Sequence, residues 1–374
     1  MKTYLLIVGT RPEAIKIAPL YLELKRQRKV KVILGLTGQH QEIVYQVLSF
    51  FSIKPDFDLK LMSFNQNQVV LISEILKGLN EKVININPDV IIAQGDTNSV
   101  MAASLVSFYN KIRFVHLEAG LRSFNFNEPF PEEFNRVLAG KIAWIHLAPT
   151  TLASKNLINE GIQRKFIYTV GNTVIDALMH GVKIIKKRNV RIILEKKFNF
   201  LNSNKKTILL TCHRRENFGD PVKKILDSIK ESALNFSEII NFCIPVHPNP
   251  NVKKIFHEYL SDLPNVFLFD PFSYEELIFV MEKSYLIITD SGGIQEEAPS
   301  LKKPVFVLRN VSERKEGIIA GNSLLIGNSE KKFQNSLKKI LFDEKYYHSF
   351  IKNSNPYGNG KSSQKIASIL SKIV

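Results

Sequence analysis

The sequence predicts an α/β protein with two Rossmann-like domains, each built on a parallel sheet. Short apolar runs alternate with longer amphipathic segments along almost the whole chain, and this alternation is typical of βαβ units. The pattern starts again after residues 183–206, a lysine-rich stretch without a recognisable motif. At 374 residues, the chain is long enough for two to three domains. We therefore expect one sheet before this stretch and a second sheet after it.

In the first series, apolar runs predict buried strands, because a strand covered on both faces need not alternate with polar residues. These runs lie at residues 4–8, 30–34, 90–93, 113–116, 145–148 and 167–170. Between them, apolar residues recur at the spacing of one helix face, which predicts amphipathic helices. The helical segments lie at 13–26, 41–51, 69–86 and 100–109.

The second series predicts strands at 207–211, 239–246, 266–269, 285–289, 305–308 and 324–326, with helices such as 222–235 and 275–282. Gly171-Asn172 falls between the two series, and Asn355-Pro-Tyr-Gly358 precedes a last helix at 362–374. We expect the chain to cross between domains at these two points. The predicted N-terminal domain is then 1–170 with the C-terminal helix 358–374, and the C-terminal domain is 171–357.

Composition excludes several functional classes. No apolar stretch reaches the roughly 18 residues of a membrane span, and the apolar opening runs directly into Gly9-Thr10-Arg11-Pro12, so neither a membrane insertion nor a signal peptide is expected. The net charge of +16 suits an anionic partner, but the basic residues are spread over many helices, so we expect no nucleic acid. Cys212 directly follows a predicted strand and Cys243 lies in one, which favours reduced, buried thiols in a cytoplasmic protein. No metal-ligand spacing is present, so we expect no metal and no cofactor.

Polar clusters follow the predicted strands, where ligands of parallel sheets bind. After the first strand, a glycine turn leads to Arg11 and to a proline that opens a helix, whose free N–H groups suit an anion. A plain strand-to-helix turn with a surface arginine is the alternative. After the strand at 285–289, Ser291, Gly292 and Gly293 predict a diphosphate site, because glycines let backbone N–H groups approach phosphate. Glu297, one helical turn further, is placed to accept hydrogen bonds from ribose hydroxyls.

Candidate acids and bases also follow strands. Asp96 closes the strand at 90–93, Glu118 closes the strand at 113–116, and Glu132 opens the next helix. Three convergent carboxylates would suit proton removal and return at a sugar carbon. Each could instead cap a helix or pair with Arg122 or Arg136.

Histidines form the other candidate group. His213, beside Arg214, follows the strand at 207–211, and this combination suits an oxyanion or a diphosphate. His247 follows the strand at 239–246. The isolated histidines are interpreted as core or surface residues, and they are His116, His146 and His180.

Together these motifs resemble the bacterial non-hydrolysing UDP-N-acetylglucosamine 2-epimerases. The matching segments are Gly9-Thr-Arg-Pro-Glu-Ala-Ile-Lys16, Thr37-Gly-Gln-His40, Gly95-Asp-Thr97, His116-Leu-Glu-Ala-Gly-Leu-Arg-Ser123, Pro131-Glu-Glu-Phe-Asn-Arg136, Gly171-Asn-Thr-Val-Ile-Asp176, His213-Arg-Arg-Glu-Asn217, Asp290-Ser-Gly-Gly-Ile-Gln-Glu-Glu-Ala-Pro299 and Asn355-Pro-Tyr-Gly358. The resemblance covers nearly the whole chain. It implies a GT-B type architecture, with two Rossmann-like domains facing a central cleft, and interconversion of UDP-GlcNAc and UDP-ManNAc through 2-acetamidoglucal. Such a product would supply precursors for a surface polysaccharide.

The resemblance also implies roles for individual residues. The catalytic set would be Asp96, Glu118, Glu132 and His213; the substrate-binding set would be Arg11, Lys16, Arg136, Ser291, Gly292, Gly293, Glu297 and Arg314; and a second, allosteric UDP-GlcNAc site would involve Gln39, His40, Arg214 and His247. The family is typically a cytoplasmic homodimer with a UDP-sugar substrate.

Four alternatives remain. The chain could be a hydrolysing relative, an epimerase of a related UDP-2-acetamido sugar, a GT-B glycosyltransferase, or a nucleotide-sugar binding protein without turnover. The segment 270–277 differs from the uracil-side segment that the resemblance implies.

Overall fold

The computed structural model describes residues 1–373 except 39–40, 62–66, 213–219, 311, 313 and 328. The chain forms two compact units, the first made of Met1–His180 with Tyr357–Val374 and the second of Gly181–Pro356. In the described residues each unit holds one parallel sheet whose strands alternate with helices, which confirms the predicted α/β class with two sheets.

The sheet of the first unit is fully parallel. Its strands are β1 (Lys2–Val8), β2 (Val30–Leu36), β3 (Phe57–Asp58), β4 (Val90–Gln94), β5 (Arg113–Leu117), β6 (Ile145–Ala148) and β7 (Ile167–Thr169). Their spatial order is β3-β2-β1-β4-β5-β6-β7. Because every strand points the same way, the loops that follow β1, β4 and β5 meet at one edge of the sheet.

The helices of the first unit follow these strands. They are α1 (Arg11–Gln27), α2 (Gln41–Phe50), α3 (Gln68–Ile86), α4 (Asn98–Tyr109), α5 (Glu132–Ile142), α6 (Thr151–Asn159) and α7 (Thr173–Ile185). Local sequence explains the bounds of α1, since Pro12 stands in its first turn and Lys25 and Arg26 stand in its last turn, opposite in sign to the helix dipole there.

The second unit also alternates parallel strands with helices, and its sheet has fewer strands. Its strands are β8 (Lys206–Thr211), β9 (Ile240–Pro245), β10 (Val266–Phe269), β11 (Leu286–Thr289), β12 (Val305–Val307) and β13 (Ser323–Leu325), in the spatial order β10-β9-β8-β11-β12-β13. Its helices are α8 (Arg188–Lys197), α9 (Asp220–Asn235), α10 (Pro250–Leu260), α11 (Tyr274–Lys283), α12 (Gly292–Glu297), α13 (Lys315–Ile319), α14 (Glu330–Phe342) and α15 (Glu344–Ile351). The chain then returns to the first unit in α16 (Ser362–Ile373).

The division between the units lies later than the sequence analysis places it. The expected crossing is at Gly171, whereas the compact units divide at Gly181. The reason is that α7 is continuous across this region, and its first turn packs Val174 and Ile175 against Tyr357 in the first unit.

Each sheet has its own apolar core. In the first unit, residues such as Leu5, Ile75 and Ile91 are almost fully buried between the sheet and its helices. In the second unit, Cys212 and Cys243 are buried and form no disulfide, as the sequence predicts, and burial raises the pKa of the Cys243 thiol. Among the described residues, no helix is long and apolar enough to cross a membrane.

Candidate active site

Asp96 and Glu118 lie at the carboxyl ends of two neighbouring strands in the first unit. Gln94 of β4 pairs with Leu117 of β5, and the N–H of Gly95 donates to the Leu117 carbonyl at 3.0 Å. Gly95 has φ +89° and Glu118 has φ +67°, so both loops turn through the left-handed region. A side chain costs about 1–3 kcal/mol there, and such strain clusters at functional sites. The two carboxylates therefore start from adjacent positions on one edge.

Glu118 is a buried carboxylate with partners from two other elements. Lys16 of α1 places Nζ 2.5 Å from Glu118 Oε2, and both side chains are under 10% exposed. Asn172, which follows β7, donates Nδ2–H to the same oxygen at 2.9 Å. A buried charge is tolerated when it is paired and hydrogen-bonded, so this arrangement holds Glu118 in a fixed position. Asn172 is not among the site residues that the sequence predicts, although it lies in the motif Gly171–Asp176.

Asp96 is held by α5. Arg136 Nη2 lies 2.5 Å from Asp96 Oδ2, and Arg136 Nη1 lies 3.3 Å from Glu133. Asn135 donates Nδ2–H to the main-chain carbonyl of Asp96 at 2.9 Å. The Asp96 side chain stays 25% exposed, so it is fixed from one side and open to solvent on another.

Glu132 and its neighbour Glu133 have different surroundings. Glu133 is 1% exposed, and its carboxylate accepts the N–H groups of Ser123 at 2.9 Å and Phe124 at 3.0 Å. Glu132 is half-buried and forms no hydrogen bond or ion pair with any residue that the structure describes. It lies one helical turn before Arg136, so both side chains share a face of α5. Glu132 is therefore the carboxylate of this pair that is placed to meet a ligand.

A fourth carboxylate, which the sequence analysis does not single out, joins two of these loops. Glu13 of α1 is 2% exposed and accepts the N–H groups of Gly9 at 2.5 Å and Thr10 at 3.2 Å. Its second oxygen accepts the Thr97 hydroxyl at 2.5 Å. The pKa of Glu13 is raised to about 7, mainly by burial and also by the negative charge of Asp96, while the three hydrogen bonds oppose this rise. Glu13 thus ties the loop after β1 to the loop that carries Asp96.

The histidines near this edge are interior residues. His116 Nε2 lies 2.7 Å from the Gly95 carbonyl, so the ring donates to the loop before Asp96. Burial is the main cause that lowers the pKa of His116, and of its register partner His146, to about 4. His180 is half-buried and packs its ring edge-on against Phe51.

Gly9 lies in the loop after β1, and Arg11 follows this loop. Arg11 is the first residue of α1 and is half-buried. A Cβ at Gly9 would stand 2.1 Å from Ser99 Oγ, so only glycine allows this close approach of the loop to α4. The expectation of free N–H groups at this turn is not met at Gly9 and Thr10, because both donate to the carboxylate of Glu13.

In the second unit, the loop after β11 leads through Ser291 into α12. The Ser291 N–H donates to Thr289 Oγ1 at 2.9 Å, and Thr289 in turn contacts Thr211 Oγ1 at 2.6 Å. A Cβ at Gly292 would lie 3.5 Å from Arg314 Nη2, so the guanidinium lies over the glycine turn. Arg314 Nε is also paired with Glu296 Oε1 at 2.5 Å. The structure thus brings Ser291, Gly292 and Arg314 together.

Glu297, the last residue of α12, is 4% exposed. Its Oε1 accepts the hydroxyl of Tyr274 at 2.7 Å, and its Oε2 lies 3.9 Å from the position of a Cβ on Gly293. Main-chain support comes from Asn355, whose Nδ2 donates to the Glu296 carbonyl at 2.8 Å.

Several predicted residues fall outside these clusters. His213, Arg214, Gln39 and His40 lie outside the described residues. His247 is described, and its Nδ1 accepts the N–H of Asn249 at 3.1 Å. Among the described residues, no three His, Cys, Asp or Glu side chains are grouped so that they could hold a metal ion.

Comparison with known proteins shows full-length similarity. The family model described as UDP-N-acetylglucosamine 2-epimerase matches residues 22–371. A UDP-N-acetylglucosamine 2-epimerase from Salmonella borreze is 44% identical over 98% of this chain and 97% of its own length. The crystal structure of UDP-GlcNAc 2-epimerase from Neisseria meningitidis bound to UDP-GlcNAc is 42% identical, has a TM-score of 0.94 and covers 100% of both chains. The enzyme from Methanocaldococcus jannaschii, in complex with UDP-GlcNAc and UDP, is 34% identical with a TM-score of 0.83 over 100% of both chains.

Proposed function

This chain belongs to the UDP-N-acetylglucosamine 2-epimerase family, and we propose that it interconverts UDP-GlcNAc and UDP-ManNAc without net hydrolysis. The sugar carbon C2 has no adjacent carbonyl, so its proton is too weakly acidic for simple removal and return. In the proposed reaction, loss of UDP from C1 accompanies removal of the C2 proton and leaves 2-acetamidoglucal. Protonation of C2 from the opposite face and return of UDP to C1 then give the epimer.

The observation that carries this proposal is the group of carboxylates at one sheet edge of the first unit. Asp96 and Glu118 follow adjacent strands, and Arg136 joins Asp96 to the helix face that also presents Glu132. Epimerisation needs an acid and a base on opposite faces of one carbon, which a single carboxylate cannot provide. We assign this proton transfer to Asp96, Glu118 and Glu132.

The remaining assignments concern binding of the nucleotide sugar. We propose that Arg11, Lys16 and Arg136 contact the substrate from the first unit; Lys16 has three N–H donors, so its contact with Glu118 does not prevent one with phosphate. In the second unit the proposed contacts are Ser291, Gly292, Gly293, Glu297 and Arg314. The resemblance further supports His213 beside the diphosphate, an allosteric site with Gln39, His40, Arg214 and His247, and a cytoplasmic homodimer that supplies polysaccharide precursors.

The reaction is tested by incubating the protein with UDP-GlcNAc in D₂O, without an acceptor, and following the sugars by NMR. We expect UDP-ManNAc that carries deuterium at C2. Free ManNAc with UDP would indicate a hydrolase instead, and unchanged substrate would favour a glycosyltransferase or a binding protein. UDP-ManNAc that keeps its original C2 hydrogen would contradict the elimination mechanism.

The carboxylates are tested by Glu132→Gln, which keeps the side-chain shape and removes the acid. We expect turnover to fall at least ~10²-fold, the low end for general acid-base groups. Glu128→Gln is the matched control, because Glu128 is exposed in the loop just before α5. Equal turnover in the two variants would remove Glu132 from the acid-base set.

A further inference from the structure

Tyr274 is a buried residue of the second unit, and the proposed reaction gives no role to its contact with Glu297. It is the first residue of α11, where Ser273 and Glu276 cap each other: the Glu276 N–H donates to Ser273 Oγ at 3.3 Å, and the Ser273 N–H donates to Glu276 Oε2 at 3.0 Å. This capping box fixes the first turn of α11 and hence the Cα of Tyr274. The ring is 3% exposed, and its hydroxyl donates to Glu297 Oε1 at 2.7 Å.

The neighbouring aromatic residue has a different role. Phe272 is 5% exposed, and its ring packs against Phe198 and Phe269 at centroid distances of 5.3 and 5.6 Å. It is therefore a core residue, and it anchors the segment that leads into α11. With both Phe272 and the capping box fixed, the Tyr274 hydroxyl has a defined position relative to Glu297.

The two oxygens of Glu297 are distinguished by this contact. A buried carboxylate must be hydrogen-bonded, and the tyrosine hydroxyl satisfies Oε1. The other oxygen, Oε2, faces the glycine turn, 3.9 Å from the position of a Cβ on Gly293. The hydroxyl therefore restrains the rotation of the carboxylate group of Glu297.

We propose that Tyr274 is a positioning residue that orients Glu297 toward the ribose hydroxyls and so makes the site selective for ribonucleotides. The inference rests on the proposed role of Glu297 as a ribose ligand. An oriented carboxylate accepts from the ribose hydroxyls and loses these bonds with a nucleotide that lacks them. Sites built to bind a substrate hydroxyl discriminate strongly against analogues without it. Without the tyrosine hydroxyl, the carboxylate loses one restraint on its orientation, and the preference for ribose weakens.

The test compares the binding of UDP and 2′,3′-dideoxyuridine diphosphate, measured by calorimetry on the full chain. We expect the unmodified protein to bind UDP more tightly than the dideoxy compound. Tyr274→Phe should weaken UDP binding about fivefold, as for loss of one hydrogen bond, and leave the dideoxy compound nearly unaffected. With UDP-GlcNAc as substrate, the same variant should raise KM by a larger factor than it lowers kcat.

Tyr285→Phe is the matched control. Tyr285 is another tyrosine of the second unit whose hydroxyl donates to a protein group, the Ile340 carbonyl at 2.8 Å. It should bind both nucleotides like the unmodified protein. Equal weakening of UDP and the dideoxy compound by Tyr274→Phe would overturn the proposal, because a merely structural contact affects both ligands.

Glu297→Gln keeps Tyr274 in place and keeps the inference testable if Tyr274→Phe is poorly folded: it should lower the preference for UDP over the dideoxy compound. Where Tyr274→Phe folds, adding it to Glu297→Gln should lower the preference no further. If the unmodified protein showed no preference, the inference and the ribose role of Glu297 would both be wrong. A preference for UDP that Tyr274→Phe reduces, without turnover of UDP-GlcNAc, would instead refute the proposed function and support this inference.

Discussion

Glu13 shows what a single residue contributes at this sheet edge. Its carboxylate joins Gly9 and Thr10, in the loop after β1, to Thr97, in the loop that carries Asp96. The site therefore holds a buried acid that braces the loops on which we place the chemistry. Such a contact is invisible in the sequence, because Glu13 also fits the common pattern of an acidic residue in the first turn of a helix.

The raised pKa of Glu13 predicts a dependence of stability on pH. A carboxyl whose pKa rises from 4.5 to about 7 on folding binds its proton more tightly in the folded state. Its contribution to stability is thus complete below pH 4.5 and is lost as the pH rises through 7. Glu13→Gln removes this titration, so the variant should gain about 2.5 kcal/mol relative to the unmodified protein between pH 5 and pH 8. Calorimetric unfolding of both proteins at the two pH values measures the gain, and groups that both share cancel in the difference. A constant difference in Tm would contradict the prediction.

The position of a site residue could be predicted from the sequence only where the residue belongs to a recognisable motif. The sequence indicates that Asp96, Glu118 and Glu132 follow strands or open a helix. It does not indicate that Asn172 reaches Glu118 or that Tyr274 reaches Glu297, since these pairs are far apart in the chain. Periodicity gives the element of each residue, but the pairing of side chains across elements depends on packing.

At the scale of elements, the predicted strands and helices agree with the structure to within a few residues, because long apolar runs and helical spacing are strong signals. The two-residue strand β3 is missed, since so short a segment has no periodicity. Helix α8 lies in the lysine-rich stretch 183–206, where charge obscured its apolar face. The spatial order of the strands depends on crossovers, which apolar pattern alone does not determine.

The paired strands β5 and β6 predict sensitivity to acid. His116 and His146 are register partners, and burial lowers the pKa of each from 6.5 to about 4. A histidine with a lowered folded pKa contributes stability above pH 6.5 and loses it as the pH falls toward 4. His146→Gln should therefore lose less stability than the unmodified protein between pH 7 and pH 4, by up to about 3 kcal/mol. Thermal unfolding across this range measures the slope. His257→Gln, at an exposed residue of α10, is the control and should lose as much stability as the unmodified protein. If His146→Gln also lost as much stability as the unmodified protein, the prediction for His116 and His146 would be wrong.

At the scale of the whole molecule, the net charge of +16 predicts how salt affects catalysis. The proposed substrate carries a diphosphate, and the excess positive charge comes from residues other than Lys16, Arg136 and Arg314, which are each paired with a carboxylate. A positive field raises the local concentration of an anion, and salt screens it, with a Debye length that falls from about 30 Å at 0.01 M to about 10 Å at 0.1 M. Over this range we expect kcat/KM for UDP-GlcNAc to fall about threefold or more. The value of kcat should change less, because a substrate already bound no longer depends on long-range attraction.

Sucrose at matched osmolality is the control, since it changes water activity without screening charge. If kcat/KM were the same at both salt concentrations, the lysine-rich surface would have no part in capturing substrate, and the charge contacts would act only at short range.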